Sequence, residues 1–238
     1  YKKNPCQKGR SYFLLLVIVA GGIMFLGYSA RAQSTPQFLV SWQAESLVPF
    51  WYKGKTMPAG GNATEVRFEL IDGGRIADIS NLAVRWYIND KLVINENKGL
   101  GIKSLIFNNP DFGGQETEVR ILIVGYKGIS QTDKLITIPI TGQEVVINNQ
   151  RLGRNLKTGE NKFEAIPFFF SAKNENNLSA KWLANGSESS GVSDNPFELN
   201  LNIESNSLPG TKINLSVLVK NLLKEIEFAN ESIQLEIQ

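Results

Sequence analysis

Apolar and polar residues alternate along most of this chain. Val66, Phe68 and Leu70 are separated by Arg67 and Glu69. Val119, Ile121 and Ile123 interleave with Arg120 and Leu122, and Ile136, Ile138 and Ile140 with Thr137 and Pro139. Successive side chains of a strand point to opposite faces, so a period of two rich in β-branched residues predicts strands buried on one side. Turn formers separate the runs: Asp72-Gly73-Gly74, Asn89-Asp90, Asn108-Asn109-Pro110-Asp111, Gly113-Gly114, Asn185-Gly186, Asn195-Pro196 and Pro209-Gly210. Gly and Asn reach left-handed conformations at little cost, and Pro presets φ for a turn. Past the N-terminal segment no long stretch has helical spacing. Asn221 to Phe228 (NLLKEIEF) falls where one strand connects to the next, so it is expected to be a strand end and a turn.

The pattern repeats. Leu82-Ala83-Val84-Arg85-Trp86-Tyr87-Ile88-Asn89-Asp90 matches Leu178-Ser179-Ala180-Lys181-Trp182-Leu183-Ala184-Asn185-Gly186 at an offset of 96. The same offset carries Gly114 to Gly210, Val119 to Leu215, Ile121 to Val217 and Ile123 to Val219. At 97, Ile136, Ile138 and Ile140 fall on Ile233, Leu235 and Ile237. A period this long is a whole domain rather than a solenoid unit. Two tandem copies are expected, 37–141 and 144–238, joined by Thr141-Gly142-Gln143. In each, Trp86 or Trp182 sits on an early-middle strand and is assigned to the core.

Short strands, frequent turns and one tryptophan per copy fit a β-sandwich with the indole between two sheets. On Val84 to Asn89, Ala180 to Asn185, and the late strands Glu118 to Val124 and Asn214 to Lys220, the chain resembles bacterial extracytoplasmic immunoglobulin-like repeats, including the polycystic-kidney-disease-like group. The resemblance spans about 200 residues, is one of fold, and lacks the inter-sheet cysteine pair of antibody domains. It implies spacer, adhesion or interaction roles.

The N-terminus has a different pattern. Tyr12 to Leu26 is a continuous apolar run behind Lys2, Lys3, Lys8 and Arg10, with no acidic residue before position 33. Residues 1–11 are expected to be a cytoplasmic basic tip, since positive charge resists translocation. Residues 12–30 read as one apolar helix, either a signal peptide or a membrane span. Ala30-Arg31-Ala32 followed by Gln33 fits signal-peptidase cleavage between Ala32 and Gln33. The run is short for a span, although Tyr28 and Ala30 extend it and glycines are tolerated in lipid. Either way the remainder is extracytoplasmic: secreted if cleaved, and tethered to the membrane through 12–30 if not. Cys6 precedes the run, so it cannot be a lipoprotein cysteine, and Gln7-Lys8-Gly9-Arg10 lacks the glutamate of a prepilin site, Leu14 standing in its place.

The charge changes meaning once this segment is set aside. The whole chain is +2, but the five basic residues before position 33 leave 20 basic against 23 acidic beyond it, a net −3. A mildly acidic exported part has no electrostatic reason to bind a phosphate backbone, so no nucleic acid is expected. The 238 residues contain no histidine, and Cys6 is the single cysteine. That removes His-dependent triads, HExxH zinc sites, imidazole acid–base chemistry and any disulfide in the exported part. No cofactor is called for.

The candidate binding residues are Phe50, Trp51 and Tyr52, adjacent aromatics between lysines in a stretch the second copy does not repeat. They can form a platform for sugar rings or a protein partner, or cover the open end of the first sandwich and its junction with the second. Pro167-Phe168-Phe169-Phe170 falls on a strand of the second copy. Phe168 and Phe170 are expected in the core, with Phe169 on the other face under a neighbouring domain or partner. The turn acids Asp72, Asp90, Asp111, Glu116 and Asp133 lack Asp-x-Asp-x-Asp spacing, so they are read as solvated rather than as calcium ligands. Ser179 and Lys181 lack a nucleophile elbow. Leu208-Pro209-Gly210-Thr211 lacks the apolar tail of a sorting signal and reads as a turn.

The expectation is an all-β chain, two immunoglobulin-like sandwiches behind an apolar helix. It is expected to serve as an exported, non-enzymatic envelope structural or interaction module, with an envelope protein or glycan as partner. A carbohydrate-binding module using the Phe50-Trp51-Tyr52 loop is the alternative. A carboxylate-based hydrolase stands third, resting only on the abundance of acids.

Overall fold

A computed structural model describes residues 35–110, 113–149, 153–189, 191 and 193–238. The apolar helix expected over 12–30, the cleavage site at Ala32 and Gln33, and Asp111 lie outside the described residues. Among the described residues no helix is long and apolar enough to cross a membrane.

The described residues are β throughout, with three single-turn 3₁₀ helices among them. The first half contributes β1 (Gln37–Ala44), β2 (Ala63–Asp72), β3 (Arg75–Ile76), β4 (Val84–Ile88), β5 (Lys91–Ile94), β6 (Ser104–Asn108), β7 (Glu116–Val124) and β8 (Gln131–Pro139). Strand β2 is flanked by β1 on one side and by β6 and β3 on the other; the second sheet runs β5-β4-β7-β8. The second half contributes β9 (Glu144–Asn149), β10 (Asn155–Leu156), β11 (Gly159–Phe168), β12 (Leu178–Ala184), β13 (Ser187–Glu188), β14 (Glu198–Ile203), β15 (Lys212–Asn221) and β16 (Phe228–Ile237). Its sheets run β14-β11-β9 and β10-β16-β15-β12-β13. Each half thus sets a sheet built on its first two long strands against one built on its last two. This is the arrangement of immunoglobulin and fibronectin type III sandwiches.

Alternation explains the two cores. Val66, Phe68 and Leu70 face Val119, Ile121 and Ile123 around Trp86, and all are buried. In the second half Phe163, Ala165 and Leu199 meet Leu215, Val217 and Val219 around Trp182. Both indoles are fully buried and both need a partner for their N–H. Trp86 Nε1 donates to the Ile102 carbonyl at 3.0 Å, and Trp182 Nε1 to the Pro196 carbonyl at 3.1 Å.

The register carries the sequence repeat into three dimensions. Trp86 pairs with Ile121 and Trp182 with Val217; Val119 pairs with Ile136 and Leu215 with Ile233. One edge differs. Glu236 donates its N–H to the Arg154 carbonyl and Gln238 to that of Leu156, so β10 runs along β16. In the first half Thr141 donates to the Pro58 carbonyl, the counterpart of the Gln238 bond, but Pro139 stands at the position of Glu236 and has no N–H to give. The parallel strand is therefore reduced to the single Ala59–Thr141 bridge.

The turns expected at Gly73-Gly74, Asn89-Asp90, Asn185-Gly186, Pro196 and Pro209-Gly210 are present, whereas Asn108 ends β6 and Asn109 and Pro110 form no turn. Strand β15 ends at Asn221 and β16 begins at Phe228, with bends and turns between. Gly114 and Gly210, 96 apart, both have positive φ and donate to Ile140 and Ile237.

Candidate functional site

The return from β1 to β2 takes residues 45–62, about twice the length of the return from β9 to β11 over 150–158. The extra chain lies at the end of the first sandwich that faces the second. There Leu47 N–H donates to Phe170 O at 2.8 Å and Phe169 N–H to Leu47 O at 2.7 Å, an antiparallel bridge between halves. Leu47 also packs against the second core.

The aromatic loop is fixed from several sides. Tyr52 sits edge-on to Phe168 and Phe169, with ring centres 5.6 and 6.3 Å away, and Trp51 edge-on to Phe168 at 6.2 Å. Tyr52 N–H donates to the Pro49 carbonyl at 2.9 Å. Lys55 Nζ lies 3.1 Å from the centre of the Trp42 ring, and partial desolvation there pushes the lysine below its ordinary pKa. Ser46 Oγ donates to the Met57 carbonyl and accepts from Asn62 Nδ2. What the packing leaves out is specific: Phe50 is 97% exposed and Trp51 49%. Of the three aromatics, Tyr52 is taken up by the junction, Trp51 is shared, and Phe50 is presented to solvent.

The phenylalanine run departs from its expected placement. Alternation along β11 puts Phe163, Ala165 and Pro167 inward, so Phe168 points to the outer face, where Trp51 and Tyr52 meet it. The assignment of Phe168 to the core is corrected. The alternation breaks only after Phe168, at Phe169, whose φ of +63° turns both Phe169 and Phe170 away from solvent. A left-handed non-glycine residue is costly, and the Leu47 bridge on both sides of it holds it in place.

Beneath this run a buried carboxylate ties two loops together. Glu227 is fully buried and accepts from Ser171 N–H at 3.0 Å, from Ser171 Oγ, and from Asn221 Nδ2 at 2.8 Å, with Lys224 Nζ at 3.6 Å. The segment that bridges to Leu47 is thereby fixed to the β15–β16 hairpin.

A cleft of about 540 Å³ opens beside the exposed rings. It is lined by 47–51, by Glu164 and Ile166 on the outer face of β11, by the 173–176 turn, and by Asn195 and Phe197. Aliphatic and aromatic groups share it with exposed Glu164, Lys173, Glu175 and Asn176. Its volume is that of a small-ligand site. Of the aromatic triplet that the sequence points to, Phe50 and Trp51 line the cleft and Tyr52 does not; the 173–176 turn and Glu164 join them through folding.

Two of the turn acids have other partners. Asp72 accepts from Tyr126 Oη at 2.7 Å and Lys127 Nζ at 2.6 Å, which raises the pKa of Lys127, while burial chiefly raises that of Tyr126. Asp90 lies 3.7 Å from Arg120. Among the described residues no three His, Cys, Asp or Glu side chains converge as a metal site requires.

No family model matches the sequence, and no curated protein matches it. Several solved structures are similar in strand arrangement. Fibronectin(III)-like modules of Clostridium thermocellum CbhA are 13% identical, with 83% of this chain and 93% of that one covered and a TM-score of 0.30. Three N-terminal domains of the bacteriophage RB49 outer capsid protein Hoc are 10% identical, with 85% and 70% covered, at 0.32. Bacteroides ovatus SGBP-B, in complex with a mixed-linkage heptasaccharide, is 13% identical, with 86% and 47% covered, at 0.23. This chain spans less than half of that last protein, and at such scores none of the three bears on function.

Proposed function

We propose that this chain is an exported, non-enzymatic interaction module whose partner docks at the junction cleft. One observation carries the reading: a loop tied down by backbone bridges and ring contacts presents Phe50 at 97% exposure and Trp51 at 49%. Large apolar rings are normally covered. Rings carried on a backbone that is already tied down cost less entropy to order when a partner covers them, as binding hot spots do. The basic tip and apolar run supply the export. The sandwiches are held outside the cytoplasmic membrane by 12–30 or released by cleavage after Ala32, and the partner belongs to that compartment.

A photo-crosslinking residue at position 50 of the full chain, expressed in its own cells, tests this. The expected result is a discrete adduct that weakens in a Trp51→Ala background and is absent with the probe at Ile106, an exposed strand position. An adduct at 106 and none at 50 overturns the reading. N-terminal sequencing of the mature protein separates release, with a start at Gln33, from tethering.

A further inference from the structure

We infer that the ligand of the junction cleft is a neutral saccharide chain. This rests on the proposal that the cleft is the binding site, and it adds the chemistry of what binds.

The cleft has the two surfaces that a pyranose ring needs. A sugar ring carries an apolar face of C–H groups and an edge of hydroxyls that both donate and accept. Phe50 and Trp51 provide exposed flat rings, and Ile166 and Phe197 an apolar lining. Around them stand Glu164, Glu175, Lys173 and Asn176, which between them accept, donate, and do both. Glu164 accepts a bond from Asn148 Nδ2 at 3.2 Å, which orients its carboxylate and leaves further lone pairs for hydroxyl donors. A site of this kind holds polyhydroxylated ligands through several modest bonds and one stacked face.

Charge narrows the class. The titratable side chains lining the cleft are Glu164, Glu175 and Lys173, a net −1, on an exported part that is itself −3. Uronate, sulfated or phosphorylated chains would meet like charge. Neutral sugars meet only hydrogen-bonding groups.

The backbone argues against an extended peptide. Ala165 donates its N–H to Phe197 O at 2.8 Å, on the β14 side of β11. Alternate residues of a strand aim their N–H groups the same way, so the next donor toward that side belongs to residue 167. That residue is Pro167, which has none. The β14 ladder stops at Glu164, and a strand laid beyond it would find no donor there. Recognition has to run through side chains and rings.

The test uses the full 238-residue chain in detergent, with cellohexaose, xylohexaose and chitohexaose as neutral probes and hexagalacturonate as the anionic one. Calorimetry reads the affinities and tryptophan fluorescence reads the stacking. The expected result is binding of at least one neutral probe, stronger than that of the anionic one. Trp51→Ala should weaken it about tenfold and Leu208→Ser, on an exposed turn outside the cleft, should leave it unchanged. Because Trp51 also packs on Phe168, Phe50→Ala serves as the variant that disturbs no ring contact, and it should weaken binding severalfold. Three results overturn the inference: no neutral probe binds, the anionic probe binds best, or binding survives both aromatic substitutions. If the sugars fail while position 50 still crosslinks to a protein, the saccharide inference falls and the cleft stands as the binding site. If both fail, the site falls as well.

Discussion

Tyr52 stands edge-on to Phe168 across the junction between the sandwiches, ring centres 5.6 Å apart, and Gly54 is what lets it do so. A Cβ on Gly54 would lie 2.4 Å from the Tyr52 ring and hydroxyl, so any side chain there pushes the ring off its seat. Gly54→Ala is expected to displace Tyr52 and cost about 1 kcal/mol, the usual worth of an aromatic pair. Near-UV circular dichroism and urea denaturation read the two effects. An unchanged aromatic spectrum would show that this contact does not hold the loop.

Glu227 should matter more than an ordinary acidic residue on a hairpin. Glu227→Ala leaves Ser171 N–H, Ser171 Oγ and Asn221 Nδ2 without their acceptor in a buried pocket. The expected cost is about 3 kcal/mol, the penalty for orphaning buried donors. Glu227→Gln keeps one acceptor oxygen and should cost less. Hydrogen exchange is expected to rise at Phe169 and Leu47 N–H, since the strand end that pairs with Leu47 is tied down through Ser171. Protection unchanged at those two amides would separate the hairpin from the junction.

Much of this architecture is legible in the alternation. Val66, Phe68 and Leu70, the Trp86 and Trp182 repeat and the Asn89 and Asn185 turns all depend on local rules, and all lie where those rules place them. Phe168 does not. The left-handed φ at Phe169 comes from a bridge to Leu47, more than a hundred residues away, and no residue type signals it. Glu227 inverts expectation in the same way: in NLLKEIEF the leucines and Ile226 are exposed while the glutamate is fully buried. Its burial depends on Ser171, which reaches it only through the fold. The cleft is legible only in Phe50 and Trp51. Its aromatics are adjacent in sequence, whereas Glu164 and Lys173 arrive through strand pairing and a turn of the other half.

Acid should remove a small, defined contribution from the first sandwich. Arg85 donates twice to Glu96, at 2.9 and 2.7 Å, and holds the Glu96 carboxyl down to about 2 from an ordinary 4.5. A depressed carboxylate stabilises the fold above its unfolded pKa and loses that contribution as pH falls through the folded one. The difference between wild type and Glu96→Gln should therefore be complete above about pH 4.5 and vanish near pH 2. Both groups are exposed, so the difference should be small and should shrink in 1 M salt. Denaturant midpoints at several pH values check this. A difference that grows toward pH 2 would contradict the assignment.

The two hairpins after the buried tryptophans allow the sharpest comparison of backbone and side-chain effects. Asn89 and Asn185 have φ of +46° and +50°, each followed by a second residue at positive φ, Asp90 or Gly186. Two-residue turns of this hand match the twist of the strands they join. Each asparagine also accepts a bond from the neighbouring strand, Glu118 N–H at 2.9 Å and Asn214 N–H at 2.8 Å, and returns its own N–H to the carbonyl of the same residue. Asparagine thus does two things: it tolerates the left-handed conformation and it caps a strand donor. Substitution can separate them. Asn185→Gly keeps the backbone and loses the side-chain bond, an expected cost of about 1 kcal/mol. Asn185→Ala loses the bond and also places a Cβ at positive φ, adding about 1–2 kcal/mol. The same order, wild type above glycine above alanine, is expected at position 89. Urea midpoints of the four variants measure it. Equal losses for glycine and alanine would mean that the turn relaxes out of the left-handed region, leaving only the hydrogen bond to explain the asparagine.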